Sequence, residues 1–368
     1  MALFTDSKPH FDTLDGLRGI AALVVIFYHL YECFSASPVS HGYLAVDFFF
    51  VLSGFVIGYA YDDRWQKGFT VGQFLRRRLI RLHPMVLIGA IIGAITFIAN
   101  GSERWDGSHV GIGFVMLAML CTMLMVPAMP GSAYDVRGNT EIFPLNGPTW
   151  SLFFEYIGNV LYVLLLRRLS TLLLGLLAVL TGAGLLTVAL LNGHTAFGWS
   201  FADGGFWLGL LHMLFPYTVG MWMARVFRLR PVRGAFWWCA LAIVLVACVP
   251  PLGGETSLWH NGLFEAVCIL FLFPLLVWLG ASDATTSRPM QLACRTLGNL
   301  SYPLYLVHYP FMYLFYAYIG FDGDLVPVER MSEVWPVGLV VIAGCLALAW
   351  LLLQFYDIPV RRWLSKRL

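Results

Sequence analysis

Charge is what this sequence has least of. Only 12% of its 368 residues are charged, where a soluble domain carries about 25%. Hydrophobic residues make up 59%, and the mean hydropathy is +0.75. That balance excludes an ordinary soluble domain and implies a polytopic membrane protein. A net charge of +2 gives no sign of a nucleic-acid partner. The seven cysteines lie mostly within apolar runs and show no C-x-x-C spacing, so neither a metal site nor a disulfide framework is expected. Internal repeats and low-complexity tracts are also missing, and no soluble domain is expected at either end. Residues 1–368 read as one integral-membrane domain.

What is there is a series of apolar runs of spanning length, about 20 residues each. They fall at 17–34, 44–61, 84–100, 148–166, 171–191, 206–226, 235–252, 261–280, 298–318 and 336–356, with a further candidate at 111–127. Arginines and lysines cluster at 64–81, 167–168, 225–233, 288–295 and 361–367, whereas 192–205, 250–262 and 319–335 are poor in them. The positive-inside rule makes the basic set, and both termini, cytoplasmic. An even number of crossings is then required, so 111–127 is expected to be re-entrant or to lie against the bundle. The expected fold is all-α, a transmembrane bundle of about ten spanning helices. Lys8, Arg18 and the small residues Ser35 to Ser37 imitate a cleaved signal. His29 and Glu32 inside the run, and the spans that follow at once, favour a retained first helix.

Within this apolar background a few polar residues stand out. In "LDGLRGIAALVVIFYHLY", Arg18 and His29 are eleven residues apart. At about 100° per residue they share one helix face, about 16 Å apart along the axis. Ionisable groups at membrane depth usually face a cavity or a partner; the plainer alternative is a snorkelling arginine and a hydrogen-bonded core histidine. "QFLRRRLIRLHP" places four arginines in six residues, with Arg78 and Arg81 on one face. Such a run can be a topological anchor, or it can bind phosphate, for which the planar guanidinium is suited. "GPTWSLFFEY" carries Trp150, an interfacial anchor, then Ser151 and Glu155 at i, i+4. Glu155 so placed is either catalytic or ion-paired to an arginine of another helix. In "GNLSYPLYLVHYP", Ser301, Tyr305 and His308 form a polar stripe that suits a cavity wall. Asp47 is a lone carboxylate in "LAVDFFFVLSGF".

Taken in order, these motifs resemble those of the family-3 membrane acyltransferases, which O-acylate bacterial cell-surface glycans and some small molecules. Arg18 and His29 match the family's R-x10-H pair, and Arg78 and Arg81 its R-x-x-R pair. "AVDFFFVLSGFVI", "TWSLFFEY", "LGNLSYPLYLVHYP" and "DIPVRRW" follow, so the resemblance covers essentially the whole chain. Asp357 stands where a glutamate is expected, and no appended esterase domain of the kind some members carry is expected.

The resemblance implies a multi-pass enzyme of the bacterial inner membrane. It would move an acyl group, acetyl being common, from cytoplasmic acyl-CoA to a hydroxyl of a cell-surface or lipid-linked glycan. It assigns His29 and Arg18 to catalysis. With acyl-CoA as the donor that the resemblance implies, Arg78, Arg81 and Arg18 at the cytoplasmic mouth are expected to hold its nucleotide phosphates, and spacing adds Glu155 as a residue orienting His29 or the acceptor. Asp47, Trp150, Ser301, Tyr305 and His308 are expected to line the acceptor site. No metal and no permanently bound cofactor are expected; acyl-CoA, the glycan and membrane lipids are the expected partners. The alternatives are acylation of a small hydroxylated molecule at the cytoplasmic face, and a transporter or flippase, which midplane charge also marks. Paired broken helices and internal symmetry, the marks of many transporter folds, are not visible in the sequence.

Overall fold

The structure is a computed structural model, and it describes residues 8, 10–228, 230–254, 256–284, 287–321 and 323–367. The terminal residues themselves lie outside that set. Among the described residues the architecture is helical, with only isolated bridges such as Phe34 to Val326 in place of strands. The helices are α1 (Asp12–Tyr31), α2 (Ala45–Tyr61), α3 (Val71–Ala99), α4 (Ile112–Met123), α5 (Thr149–Leu164), α6 (Thr171–Asn192) and α7 (Gly205–Val226). They continue with α8 (Ala235–Ala247), α9 (Trp259–Val267), α10 (Phe273–Ala281), α11 (Arg288–Ile319), α12 (Met331–Leu352) and α13 (Ile358–Ser365). Single π-helical turns join α9 to α10 and α12 to α13.

Each of the ten expected spans coincides with a helix. Among the described residues, seven helical segments are both long and apolar enough to cross. Helices α7 and α11 have the length, but polar residues and prolines dilute them. Helix α8, at 13 residues, is only about 20 Å long. Helix α4 has 12 residues, about 18 Å, against a hydrocarbon core of about 30 Å. It lies on α3 instead, burying Val115 and Ala118 with Ala94 and Phe97.

Two close helix pairs set the geometry. Helix α1 meets α11 so tightly that a Cβ on Gly19 would stand 2.5 Å from Leu297. Helix α2 meets α7 with Gly54 against the Tyr217 carbonyl, 2.0 Å from where its Cβ would be. Small residues that let backbones approach are the usual means of helix association where lipid removes the hydrophobic drive. The outer faces stay apolar, as Leu172, Leu180 and Leu191 of α6 show, and such a surface suits hydrocarbon.

Ion pairs gather the basic helix ends on one face of the bundle. Arg225 at the end of α7 pairs with Asp62 just past α2, and Arg295 near the start of α11 pairs with Asp12 of α1. At the opposite face a buried network closes the loops. Glu265 accepts from Tyr43, from Asn261 (2.5 Å), and from the backbone and hydroxyl of Thr195 (2.6 and 2.8 Å). Every acceptor oxygen is thereby engaged, which is what a buried carboxylate needs.

Proline shapes α11 as well. Pro310 has no N–H to give the Leu306 carbonyl, which would otherwise be orphaned. Asn146 donates to that carbonyl instead, at 2.7 Å. This contact pins the loop ahead of α5, and with it Gly147, Pro148 and Trp150, to the middle of α11.

Candidate active site

Arg18 and His29 share one face of α1, as their spacing predicts; that face turns toward α11, and the two side chains open into different cavities. The first cavity, about 240 Å³, lies at the basic face between α1, α2, α3, α5 and α11. The second, about 580 Å³, lies at the other end of α1.

The first cavity gathers four guanidiniums, those of Arg18, Arg78, Arg81 and Arg361. Arg18 donates to the Ser301 hydroxyl (3.0 Å) and the Gly298 carbonyl (2.8 Å), and pairs with Asp15 at 2.8 Å. Arg78 pairs with Glu155, which also accepts from Ser53 at 2.8 Å. Arg361 pairs with Asp357 at 2.5 Å. Arg81 forms no ion pair among the described residues, so the four cations face three carboxylates with one guanidinium uncommitted. At the rim, His10 sits 3.1 Å from Asp15 and 2.8 Å from Asp12. The hydrogen bond to Asp15 raises its pKa above the usual histidine value, against the opposing effect of burial.

The second cavity is aromatic and acidic. His29 Nδ1 lies 2.8 Å from Glu32 Oε1. A carboxylate there accepts an N–H, so the proton sits on Nδ1 and the Nε2 lone pair is left for chemistry. The Tyr316 hydroxyl lies within hydrogen-bond reach of Glu32 (2.8 Å) and of the His29 carbonyl, with one proton shared between them. His308 stacks behind the imidazole, with ring centroids 5.4 Å apart. Glu141 enters from the loop before α5 and accepts from Tyr313 and from Tyr309 (3.3 Å). Burial raises the Glu141 carboxyl above its ordinary range, and the Tyr313 hydroxyl acts against that. Trp105, Trp150 and Trp199 also line it.

Between the cavities the wall is thin. Tyr305, which lines the first, hydrogen-bonds Ser151 at 2.7 Å and donates to the Pro148 carbonyl at 3.2 Å. Pro148 in turn lines the second.

Several expectations change with this geometry. Glu155 does not reach His29; it pairs with Arg78 of another helix, because an arginine on the facing helix satisfies it. The carboxylate beside His29 is Glu32, three residues on in the same chain. Ser301 and Tyr305 line the cavity of the arginines and not that of His29. His308 is fully buried and lines neither. Asp47 is also fully buried, 2.6 Å from His212 Nε2, since a carboxylate at that depth needs a partner. Its reach to the second cavity is indirect: His212 lines it and stacks on Trp150 at 5.8 Å. Arg18, Arg78 and Arg81 line the first cavity and Trp150 the second. Glu32, Glu141, His212 and the tyrosines of α11 were missed, although Tyr309, Tyr313 and Tyr316 repeat at i, i+4, i+7. No group of three or more His, Cys, Asp or Glu could hold a metal ion among the described residues.

The fold is a polytopic helical bundle, with a cavity of guanidiniums on one face and a carboxylate-held histidine toward the other. Comparison with known families is direct: the profile described as "Acyltransferase domain" matches residues 11–354, and the chain belongs to this family of family-3 acyltransferases. The protein named protein 2 in the picA locus of Rhizobium radiobacter is 36% identical over 41% of this chain and 80% of its own. Acyltransferase MdmB of Streptomyces mycarofaciens is 26% identical over 96% of this chain and 92% of its own. Peptidoglycan O-acetyltransferase OatA of Listeria monocytogenes is 36% identical over 24% of this chain and 14% of its own. No solved structure matches.

Proposed function

We propose that this O-acyltransferase works in the bacterial inner membrane, moving an acyl group, acetyl in the simplest case, from cytoplasmic acyl-CoA to a hydroxyl of a cell-surface or exported glycan. The observation that carries this reading is the placement of two unlike cavities along one helix, guanidiniums at one end of α1 and a Glu32-held imidazole at the other. The distribution of basic residues supports a cytoplasmic position for the arginine cavity and for both chain ends. A relative named for peptidoglycan supports a glycan as acceptor.

Arg81, with Arg78 and Arg18, holds the nucleotide phosphates of the donor, for which guanidiniums offer paired donors. Glu155 and Asp15 fix two of those side chains in place. The acyl arm extends past Tyr305 toward His29, and the acceptor enters the second cavity from outside. His29 Nε2 takes the hydroxyl proton as the oxygen attacks the thioester carbonyl. The C–O bond forms, the C–S bond breaks, and the proton on His29 passes to the departing CoA sulfur. General-base catalysis of this kind contributes about 10²–10⁴-fold.

The test uses the purified full chain in nanodiscs with radiolabelled acetyl-CoA, comparing wild type with His29→Ala and Arg18→Ala. Acceptor-dependent CoA release that is lost in His29→Ala, with no label on the protein, is the expected result. Label retained on the wild type and lost in His29→Ala would replace direct transfer with a covalent acyl-histidine relay. Absence of CoA binding or turnover with any acyl chain would overturn the donor.

A further inference from the structure

The two cavities differ in charge as well as position, and the difference selects among acceptors. None of the described residues lining the second cavity is a lysine or an arginine. Two carboxylates enter it from different elements, Glu32 at the end of α1 and Glu141 from the loop before α5. Each is oriented by tyrosine hydroxyls of α11, Tyr316 on the first and Tyr309 and Tyr313 on the second.

The basic groups nearby are already committed. Arg137 is 5% exposed, donates to the Pro144 carbonyl at 2.6 Å, and lies against the Tyr313 ring, its Cζ 3.2 Å from the centroid. It does not line the cavity. His212 uses both nitrogens, on the Phe197 carbonyl (3.1 Å) and on Asp47 (2.6 Å). His29 has its Nδ1 proton on Glu32. An anionic group brought here would lose its water and meet carboxylate oxygens, with no lysine or arginine among the described lining residues and with His212 already paired to Asp47. A hydroxyl-rich or aminated ring meets the opposite: acceptors for its O–H and N–H groups, and the lining rings of Trp105, Trp150 and Trp199 for its apolar side.

Resting on the reading of this cavity as the acceptor site, we propose that it takes a neutral or amino sugar and excludes acidic ones, uronates and phosphorylated sugars alike. The charge of the acceptor is thus set in the membrane domain, and acidic glycans are acylated only at residues that are themselves uncharged.

The experiment is saturation-transfer NMR on the full chain in nanodiscs, with the methyl glycosides of glucose, glucosamine and glucuronic acid and with glucose 6-phosphate. The neutral and amino glycosides bind, and the two acidic ones bind at least tenfold more weakly. Glu141→Gln, which keeps an acceptor oxygen for the tyrosines, narrows that gap from the acidic side. Acidic and neutral ligands binding within threefold of each other would overturn the proposal, as would binding by none of the four. Acetyl-CoA-dependent transfer to the neutral glycoside, followed separately by CoA release, keeps the two readings apart. Selective binding without transfer sinks the enzymatic reading alone, and transfer without charge selectivity sinks this one alone.

Discussion

At the scale of single residues, the histidine matters less by itself than with the carboxylate that orients it. Glu32 fixes the tautomer of His29, and Tyr316 fixes Glu32. Glu32→Gln keeps the size and an acceptor oxygen but removes the charge that stabilises a developing imidazolium. In the proposed mechanism it lowers kcat by about 10²-fold or more. The apparent KM for the donor stays within about threefold, because Glu32 lies in the other cavity from the arginines. Steady-state CoA release checks both numbers; an unchanged kcat would remove Glu32 from the chemistry. His10 gives a second residue-scale expectation, this one in pH. Its folded pKa is raised, so its contribution to stability is fully present below the unfolded value of about 6.5. It is lost as pH rises through the folded value. A thermal-melting series should show wild type above His10→Asn in Tm at low pH, with the two converging at higher pH. A gap that widens with pH would contradict the Asp15 contact.

At the scale of elements, the spacing of Arg18 and His29 gave their common face correctly, because eleven residues is close to three helical turns. It could not tell that α11 packs along that face and that the wall around Tyr305 divides what opens there into two cavities. The partners of Glu155 and Asp47 were equally out of reach. Each pairs with a side chain distant in the chain, Arg78 and His212, and which helices meet is set by backbone contacts. Those contacts leave a trace in glycine positions, readable only once the pairs are known. Gly54 is the sharpest case. Any side chain there meets the Tyr217 carbonyl at 2.0 Å, so α2 and α7 must separate to admit it. Overpacking of this kind costs about 1–3 kcal/mol. Gly54→Ala therefore lowers the Tm measured in detergent, and Gly54→Val lowers it further. Since α7 carries His212 and α2 carries Asp47, separation also loosens the support beneath Trp150. An Ala variant as stable as wild type would mean that the helices are not in backbone contact.

At the scale of the whole molecule, the arrangement predicts two sites reached from opposite sides of one membrane. His10, 62% exposed at its side chain, marks the rim of the arginine cavity. Asn139 and Trp199, from the loops before α5 and α7, mark the other cavity. Single cysteines at these positions can be probed in intact spheroplasts with a membrane-impermeant maleimide. The native cysteines are mostly buried, and Cys248, which is exposed, is replaced first to clear the background. Asn139→Cys and Trp199→Cys should label from outside, and His10→Cys only after permeabilisation. Soluble acetyl-CoA, present during permeabilised labelling, should protect His10→Cys and leave the other two unprotected. A sugar acceptor should do the reverse. Labelling of all three from one side would place both cavities on the same face, and acylation would then have to be completed without any group crossing the membrane. Correct sidedness with no protection by acetyl-CoA would instead leave the topology standing and move the donor away from the arginines. The two halves of the reading, which face is which and what each cavity holds, are separable in this one measurement because His10 lines only the first cavity and Asn139 and Trp199 only the second.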